Sequence, residues 1–336
     1  MILSIGDKMK TFKKNKSNFD ITFICRNGKN HFAEPILKEL KKKYSIQYLN
    51  PEHKRDYHHW QVKGGIIWVE WAHKFAKEVA KKKWKEKKIV VRLHRYEIDT
   101  PYMDEIKWDN VDKLIFVNPE LEGLFKNRVK KQIDTITIPN AIDISKFHYN
   151  APSEENSLLA FSMRYNPVKS YDQLIETFAK IAKINSHIKL TIAAQNSEIV
   201  EDNDHYKKCK QLVTKYRLWK NVNLYTIEND SEIFELLKTH NTIVSYSQLE
   251  SFHYSFAEGL LSGLEGFCNG WRNLNPRFFW NDWCHDNEQD FINAILQWSN
   301  SPLEERIEKS QLNRDYVINR FGSEQIANQY EKILFN

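Results

Sequence analysis

Two glutamates stand eight positions apart, Glu250 and Glu258, in the stretch from Ser245 to Gly263. An apolar run, Thr242-Ile-Val-Ser-Tyr246, precedes them and reads as a short buried strand. Small polar residues follow, then a helical run closed by Gly263. In an open α/β sheet, a strand–loop–helix junction faces the ligand crevice and offers unpaired N–H groups to an anion. With Glu250 in the loop and Glu258 two turns into the helix, the two carboxylates cannot share one proton site and would touch opposite ends of an elongated ligand. Two cations, Arg164 and Lys169, lie in a second loop, Arg164-Tyr-Asn-Pro-Val-Lys169. The fork of Arg and the point charge of Lys suit a diphosphate. His94 ends the apolar run Lys88-Ile-Val-Val-Arg-Leu. Each has a bland reading beside the chemical one: a core histidine bonded to a carbonyl, a helix-capping Glu250, ordinary surface cations. Glu258 inside an apolar helix is the hardest to explain as solvated surface.

Strands alternating with helices must position these groups. In the first half, strands are expected at Asp20–Cys25, Ser45–Leu49, Gly65–Val69, Lys88–Leu93, Lys113–Val117 and Thr135–Pro139. Helices are expected over about His31–Lys43 and Trp71–Lys85, the second carrying a rim of lysines. Pro139 stops the sixth strand, Asn140 suits a turn, and the polar segment around Asn150–Asn156 marks a boundary. The scheme then repeats, with strands at Ser157–Ser162, Ile188–Ala193, Val222–Thr226 and Thr242–Tyr246. The matching helices are Tyr171–Ile184, His205–Tyr216 and Glu232–Leu237, and periodicity returns at Phe291–Trp298 and Ser323–Leu334. Residues 1–19 read as a lysine-rich arm, with a short strand at Ile2–Ile5. The pattern is α/β, two doubly wound parallel domains facing a cleft: 1–146, basic; 147–318; and a final segment, 319–336, packing back toward the first domain.

Charge separates the halves. Residues 1–150 carry 31 Lys+Arg against 19 Asp+Glu, and residues 151–336 carry 19 against 25, within a net charge of +6. A basic half favours an anionic acceptor, a membrane surface or nucleic acid; the bland alternative is solvated lysine faces. No run reaches the roughly 18 apolar residues of a membrane span. The start, Met1-Ile-Leu-Ser-Ile-Gly-Asp-Lys8, is too soon charged for a signal peptide. The four cysteines form no C-x-x-C pair, so neither a disulfide framework nor a zinc site is expected, and a cytoplasmic location, at the inner face of the cell membrane, is. The chain lacks G-x-G-x-x-G and a Walker A sequence. Asp202-Asn-Asp204 mimics a D-x-D metal motif but falls at a helix start, where Asp is expected anyway. Glu97 and Asp99 read equally as acceptor contacts or surface charges, and Trp271 and Arg272 as cleft lining or core.

Three segments in order resemble family-4 glycosyltransferases. Ile138-Pro-Asn140-Ala-Ile-Asp143…Phe147 is similar to their I-P-N-G-[VI]-D-x-x-x-F linker, Arg164…Lys169-Ser-Tyr-Asp-Gln-Leu-Ile to their G-R-x-x-x-x-K-G-x-x-x-L-I, and Ser247…Glu250-Ser-Phe-His253…Glu258…Gly263 to their S-x-x-E-G-F-G-x-x-x-x-E-A-M-A-x-G. The segment around His94 looks like the histidine strand end of bacterial surface-polysaccharide members. The resemblance implies a GT-B fold with the acceptor largely on the first domain, 1–146, and the nucleotide-sugar on the second, 147–318. It also implies retention of anomeric configuration, no obligatory metal and no cofactor beyond the nucleotide-sugar donor. By motif match, Arg164 and Lys169 would hold the diphosphate, Glu258 the ribose and Glu250 the donor sugar. Ser251, Phe252, His253 and Tyr254 would complete donor binding through backbone N–H groups. His94 would touch sugar or phosphate from the opposite domain. Ala141, Ser170, Ser251 and His253 stand where the family carries glycine, and beyond Gly263 the usual apolar strand is replaced by Leu264-Glu-Gly-Phe-Cys-Asn269.

The function expected is a retaining hexosyltransferase that moves a sugar from a nucleotide-diphosphate sugar, UDP-sugar favoured, to a glycan or lipid-linked acceptor in bacterial surface-polysaccharide biosynthesis. A peripheral membrane contact through the basic domain is part of that expectation. The alternative is a non-catalytic GT-B scaffold or partner subunit, motivated by the altered glycines. A nucleic-acid role, motivated by lysine runs such as Lys81–Lys88, meets no recognised module and an acidic second half. A sugar-nucleotide epimerase on the same fold is disfavoured by the linker and helix motifs.

Overall fold

The computed structural model describes residues 19–50, 61–195, 202–269 and 277–335. The first sheet is built from β1 (Ile21–Ile24), β2 (Ile46–Leu49), β3 (Ile66–Glu70), β4 (Lys88–Leu93), β5 (Lys113–Phe116) and β6 (Thr135–Thr137). Between them run α1 (Glu34–Leu40), α2 (Lys74–Val79), α3 (Tyr102–Glu105) and α4 (Pro119–Val129). The second sheet holds β7 (Ser157–Ser162), β8 (Lys189–Gln195), β9 (Val222–Ile227), β10 (Thr242–Ser245), β11 (Glu265–Asn269) and β12 (Cys284–His285). Its helices are α5 (Tyr171–Ile184), α6 (Asp204–Lys215), α7 (Asp230–Thr239), α8 (Tyr254–Leu261), α9 (Arg277–Trp280) and α10 (Glu288–Ser299), and the chain ends in α11 (Leu303–Phe321) and α12 (Ser323–Phe335).

Both sheets are parallel, ordered β2-β1-β3-β4-β5-β6 and β12-β11-β10-β7-β8-β9. Each reverses direction beside its first strand, between β1 and β3 and between β10 and β7. Such a switch point opens a crevice at the strand C-termini. The strands are near-continuous apolar runs because helices cover both faces. β1, β3 and β4 are almost wholly buried, and the helices lay apolar faces on them, as Phe75, Ala76 and Val79 of α2 do.

Several expectations shift. The helix expected over Trp71–Lys85 is only α2. Trp71 takes a left-handed φ of +75° at its start, and after Val79 the lysine-rich segment turns back, Trp84 Nε1 donating to the Val79 carbonyl at 3.0 Å. α4 and α11 carry weaker apolar periodicity and were not anticipated. Leu264–Asn269 does contain a strand, β11, although it opens on a carboxylate. Glu265 is 3% exposed and is held by Asn313 at 2.9 Å and Lys309 at 3.2 Å, so a buried charge with partners replaces an apolar residue. The Ile2–Ile5 strand and Trp271 and Arg272 lie outside the described residues.

The chain crosses between the sheets twice, side by side. Ile142 N–H donates to Phe321 O at 2.8 Å and Ser323 N–H to Ile142 O at 3.0 Å. Beyond that point α12 packs on the first sheet: Ile326, Ala327, Tyr330 and Leu334 join its core, and Tyr330 stacks on Trp68 at 4.7 Å.

Candidate functional site

In the second sheet, the loop after β7 brings Arg164 and Lys169, and the loop after β10 brings Ser245 to His253. These two strands flank the switch point. α8 approaches β10 closely because Gly259 leaves room: a Cβ there would meet Ile243 at 2.7 Å. Lys169 forms an ion pair with Glu250 Oε1, which also accepts from Ser247 Oγ at 2.9 Å. Burial alone would raise the Glu250 carboxyl; the His253 ring, the Lys169 ammonium and the Ser247 hydroxyl outweigh it and hold it below the ordinary range.

His253, not Glu250, caps α8. Its Nδ1 accepts from the Phe256 N–H at 3.3 Å, which leaves Nε2 to donate to Ser245 Oγ at 2.6 Å. Burial holds the ring neutral, its pKa lowered to about 4. Its φ of +69° explains why glycine suits this position, as does +49° for Ser170. The His253 side chain thus turns back into the protein rather than narrowing the crevice. Ser251 and Ala141 have no such backbone; Ala141 is buried in the first sheet's core.

Arg164 is exposed, and among the described residues its guanidinium has no hydrogen-bond or ion-pair partner. Glu258 stands on the fifth residue of α8, little more than one turn in, and its carboxylate likewise has no hydrogen-bond partner there. Burial raises its pKa to about 7, with Lys146 opposing and Asp230 adding to the shift. The structure therefore joins Lys169, Glu250 and His253 in one network, and leaves Arg164 and Glu258 outside it with unspent charge.

In the first domain, His94 follows β4 and is 5% exposed. Its Nε2 lies 2.8 Å from Glu70 Oε1, and it forms a capping box with Glu97, whose Oε2 accepts from the His94 N–H at 2.6 Å. Burial lowers the His94 pKa to about 4 despite Glu70, so the ring is neutral and Nε2–H donates to the carboxylate. Glu70 and Arg92 are wholly buried and paired at 2.9 Å; Arg92 also donates to Asn140 Oδ1. Desolvation would raise Glu70, and Arg92 and His94 hold it low instead. Glu97 is wholly buried and pushed well up by desolvation, while exposed Asp99 pairs with Arg95. The sequence reading does not single out Glu70 and Arg92, and it takes Asn140 only as a turn and linker residue. The signal was present: a carboxylate ending Ile66-Ile-Trp-Val69 and a guanidinium inside Ile89-Val-Val-Arg-Leu93 persist in apolar strands only when paired. Asn203 caps α6 from the Asp202-Asn-Asp204 segment, accepting from Tyr206 N–H at 3.0 Å.

The domains touch beside this site. Asn118 Nδ2 donates to Ser251 O at 2.8 Å, and Phe32 of the first domain stacks on Tyr254 at 5.3 Å and 15°.

Residues 143–264 match the family model described as glycosyl transferases group 1. That span contains Arg164, Lys169, Glu250, His253 and Glu258, and it supports glycosyl transfer as the chemistry. No curated protein matches the chain by sequence. Among solved structures, sucrose-phosphate synthase from Thermosynechococcus elongatus superposes with a TM-score of 0.70 at 14% identity, over 94% of this chain and 98% of its own. HepE of Anabaena, solved with UDP and glucose, gives 0.66 at 15% identity, over 94% and 99%. TarM gives 0.64 at 20% identity over 81% of this chain; the match spans only 54% of TarM's length. At these identities the likeness establishes the fold: two parallel-sheet α/β domains in the GT-B arrangement.

Proposed function

We propose that this chain transfers a sugar from a nucleotide-diphosphate sugar, a UDP-sugar foremost, to a glycan or lipid-linked acceptor, with retention of configuration and without a required metal. The observation that carries the reading is the pair of unspent charges at the second sheet's switch point. Among the described residues Arg164 is a cation without a hydrogen-bond or ion-pair partner and Glu258 a carboxyl without a hydrogen-bond partner, on the loop and helix that follow the two strands carrying the Lys169–Glu250 pair. A diphosphate matches Arg164 and Lys169, whose charges would stabilise the leaving group as its negative charge develops. Ribose hydroxyls match Glu258 as hydrogen-bond donors. Glu250 then has two duties, the sugar and the Lys169 ammonium. In a retaining reaction of this kind the leaving phosphate takes the acceptor proton, so no separate base is needed. The basic first half, with 31 Lys+Arg against 19 Asp+Glu in residues 1–150, suits an anionic or membrane-borne acceptor in surface-polysaccharide assembly. No described helix is long and apolar enough to cross a membrane.

The test is binding and turnover of purified protein with a panel of UDP- and GDP-sugars, with and without EDTA, and proton NMR of the anomeric product. Failure of every donor to bind at millimolar concentration rejects the reading.

A further inference from the structure

The cleft lies at the ends of the second sheet's strands; their starts, at the opposite end of the domain, carry a different surface. α5 and α6 run back to that end and finish in two loops, 185–188 and 216–221. The loops are tied together. Asn221 Nδ2 donates to Ser186 O at 2.8 Å and to Ile188 O at 3.1 Å, and Lys189 Nζ donates to Lys220 O at 3.1 Å. Leu218 anchors the second loop in the core, while its neighbour Trp219 is 59% exposed and Ile184, at the end of α5, is 67% exposed. One exposed apolar side chain is ordinary; two on joined loops make a patch. Lys183, Lys215, Arg217 and Lys220 are exposed around it, and among the described residues none of the four has an ion-pair partner, whereas Lys180 and Lys208, further up the same helices, are paired. Residues 177–195 carry three lysines and residues 205–227 six Lys+Arg, with no Asp or Glu in either span, in a half that carries 19 Lys+Arg against 25 Asp+Glu. Acids at this level sit elsewhere. Glu154 and Glu155 precede β7, which β8 separates from β9; Glu304 and Glu305 follow α10, on the side of α5 away from α6; and Glu235 is on α7, across the sheet. Helix dipoles favour Lys183 and Lys215 at the C-termini of α5 and α6, but they account for neither Trp219 nor Ile184. Arg217 holds a left-handed φ of +56°, where glycine or asparagine costs less, in the turn that closes α6: its N–H donates to Thr214 O at 3.1 Å, and Leu218 N–H to Val213 O at 2.8 Å.

We propose that this end of the second domain docks on an anionic lipid bilayer. Trp219 and Ile184 enter the interfacial layer, and Lys183, Lys215, Arg217 and Lys220 meet the acidic headgroups. The amphipathic ring of tryptophan settles at a membrane–water interface, and each nearby cation adds attraction to an anionic surface. A second copy of the chain does not fit, since a two-fold contact would set these cations against one another. A nucleic acid would satisfy the cations through its phosphates and leave Ile184 without an apolar partner. The lysine-rich turn of the first domain is less suited: Lys77 and Lys81 are spent on Glu105 and Glu78, and Trp84 is committed to the Val79 carbonyl. Docked by its strand starts, the domain holds the cleft roughly 20 Å from the surface, the length of the seven residues of β8. An acceptor reached there extends away from the membrane; that consequence rests on the glycosyltransferase reading, and the docking does not.

The test is flotation of the full chain with vesicles of phosphatidylcholine alone and of phosphatidylcholine mixed with phosphatidylglycerol, at low and high salt. UDP binding and melting temperature are measured in parallel, and an RNA oligonucleotide and polyglutamate serve as the other polyanions. Wild type is expected to float with the anionic vesicles at low salt, to release them at high salt, and to ignore phosphatidylcholine alone. Trp219→Ala weakens the binding about tenfold, and Lys215→Glu with Lys220→Glu abolishes it. These side chains are exposed, so both variants keep the wild-type melting temperature and UDP affinity. Lys83→Ala with Lys85→Ala, in the first domain, weakens vesicle binding less than Trp219→Ala does. Vesicle binding without UDP binding would sink the transferase reading and leave the docking standing. The docking is overturned if the anionic vesicles do not bind, if RNA or polyglutamate binds and the vesicles do not, or if Trp219→Ala floats like wild type.

Discussion

The two switch points hold charge in opposite ways. Beside the first sheet, Glu70, Arg92, His94 and Asn140 are buried and spend their charges and hydrogen bonds mostly on one another. Beside the second, Lys169 is paired with Glu250, while among the described residues Arg164 and Glu258 have no hydrogen-bond partner. A buried, paired charge is a structural commitment, because removing one partner strands the other in low dielectric. An unspent charge at a cleft is available to a ligand. Similar residue types thus serve architecture in one half and, in the function proposed, recognition in the other.

The sharpest way to break this comparison is a pair of substitutions. Glu70→Ala leaves Arg92 buried without its counter-ion and is expected to destabilise the fold by about 3–5 kcal/mol in denaturant titration. Arg164→Ala should change stability by less than about 0.5 kcal/mol while weakening UDP binding at least tenfold by calorimetry. If Arg164→Ala unfolds the protein and Glu70→Ala does not, the division is wrong.

Next comes acid sensitivity. His94 and His253 have pKa values lowered to about 4, so between the unfolded value near 6.5 and about 4 the unfolded chain binds more protons than the folded one. Their contribution to stability is present above pH 6.5 and is lost as pH falls through that window. Denaturant midpoints should drop from pH 7 to pH 5. His253→Asn, which can cap α8 and accept φ near +69°, should shrink the drop without lowering stability at pH 7. An unchanged drop would show that His253 does not titrate as its burial dictates.

Glu258 has the opposite sign. Its pKa is raised to about 7, so its contribution is full below the unfolded value of about 4.5 and is lost as pH rises through 7. Glu258→Gln should therefore gain stability over wild type at pH 8 compared with pH 4.5, read as the difference in melting temperature. A gap that does not widen would mean that the carboxylate is solvated. The smallest effect belongs to Ser170→Gly, which relaxes a φ of +49° and should stabilise by up to about 1 kcal/mol by the same denaturant assay.

Legibility followed physical locality. β7 at Ser157–Ser162 and α5 at Tyr171–Ile184 were read with their ends in place, because apolar period and capping residues are local in the chain. From the sequence, the lysines after Val79 read as more helix, because propensity alone cannot register the turn that Trp84 makes back onto the Val79 carbonyl. β11 was masked by the charge of Glu265, whose partners Asn313 and Lys309 lie far along the chain.

By itself, then, the sequence determined two parallel α/β domains and the residue types at the strand ends, since periodicity and loop chemistry are written within a few residues of each other. Only the tertiary structure decided which charges are spent. Whether Lys169 meets Glu250, whether His253 faces a ligand or caps its own helix, and whether Glu70 is surface or core depend on contacts between segments distant in sequence. The energy of a charge is set by what surrounds it, and no local pattern records that.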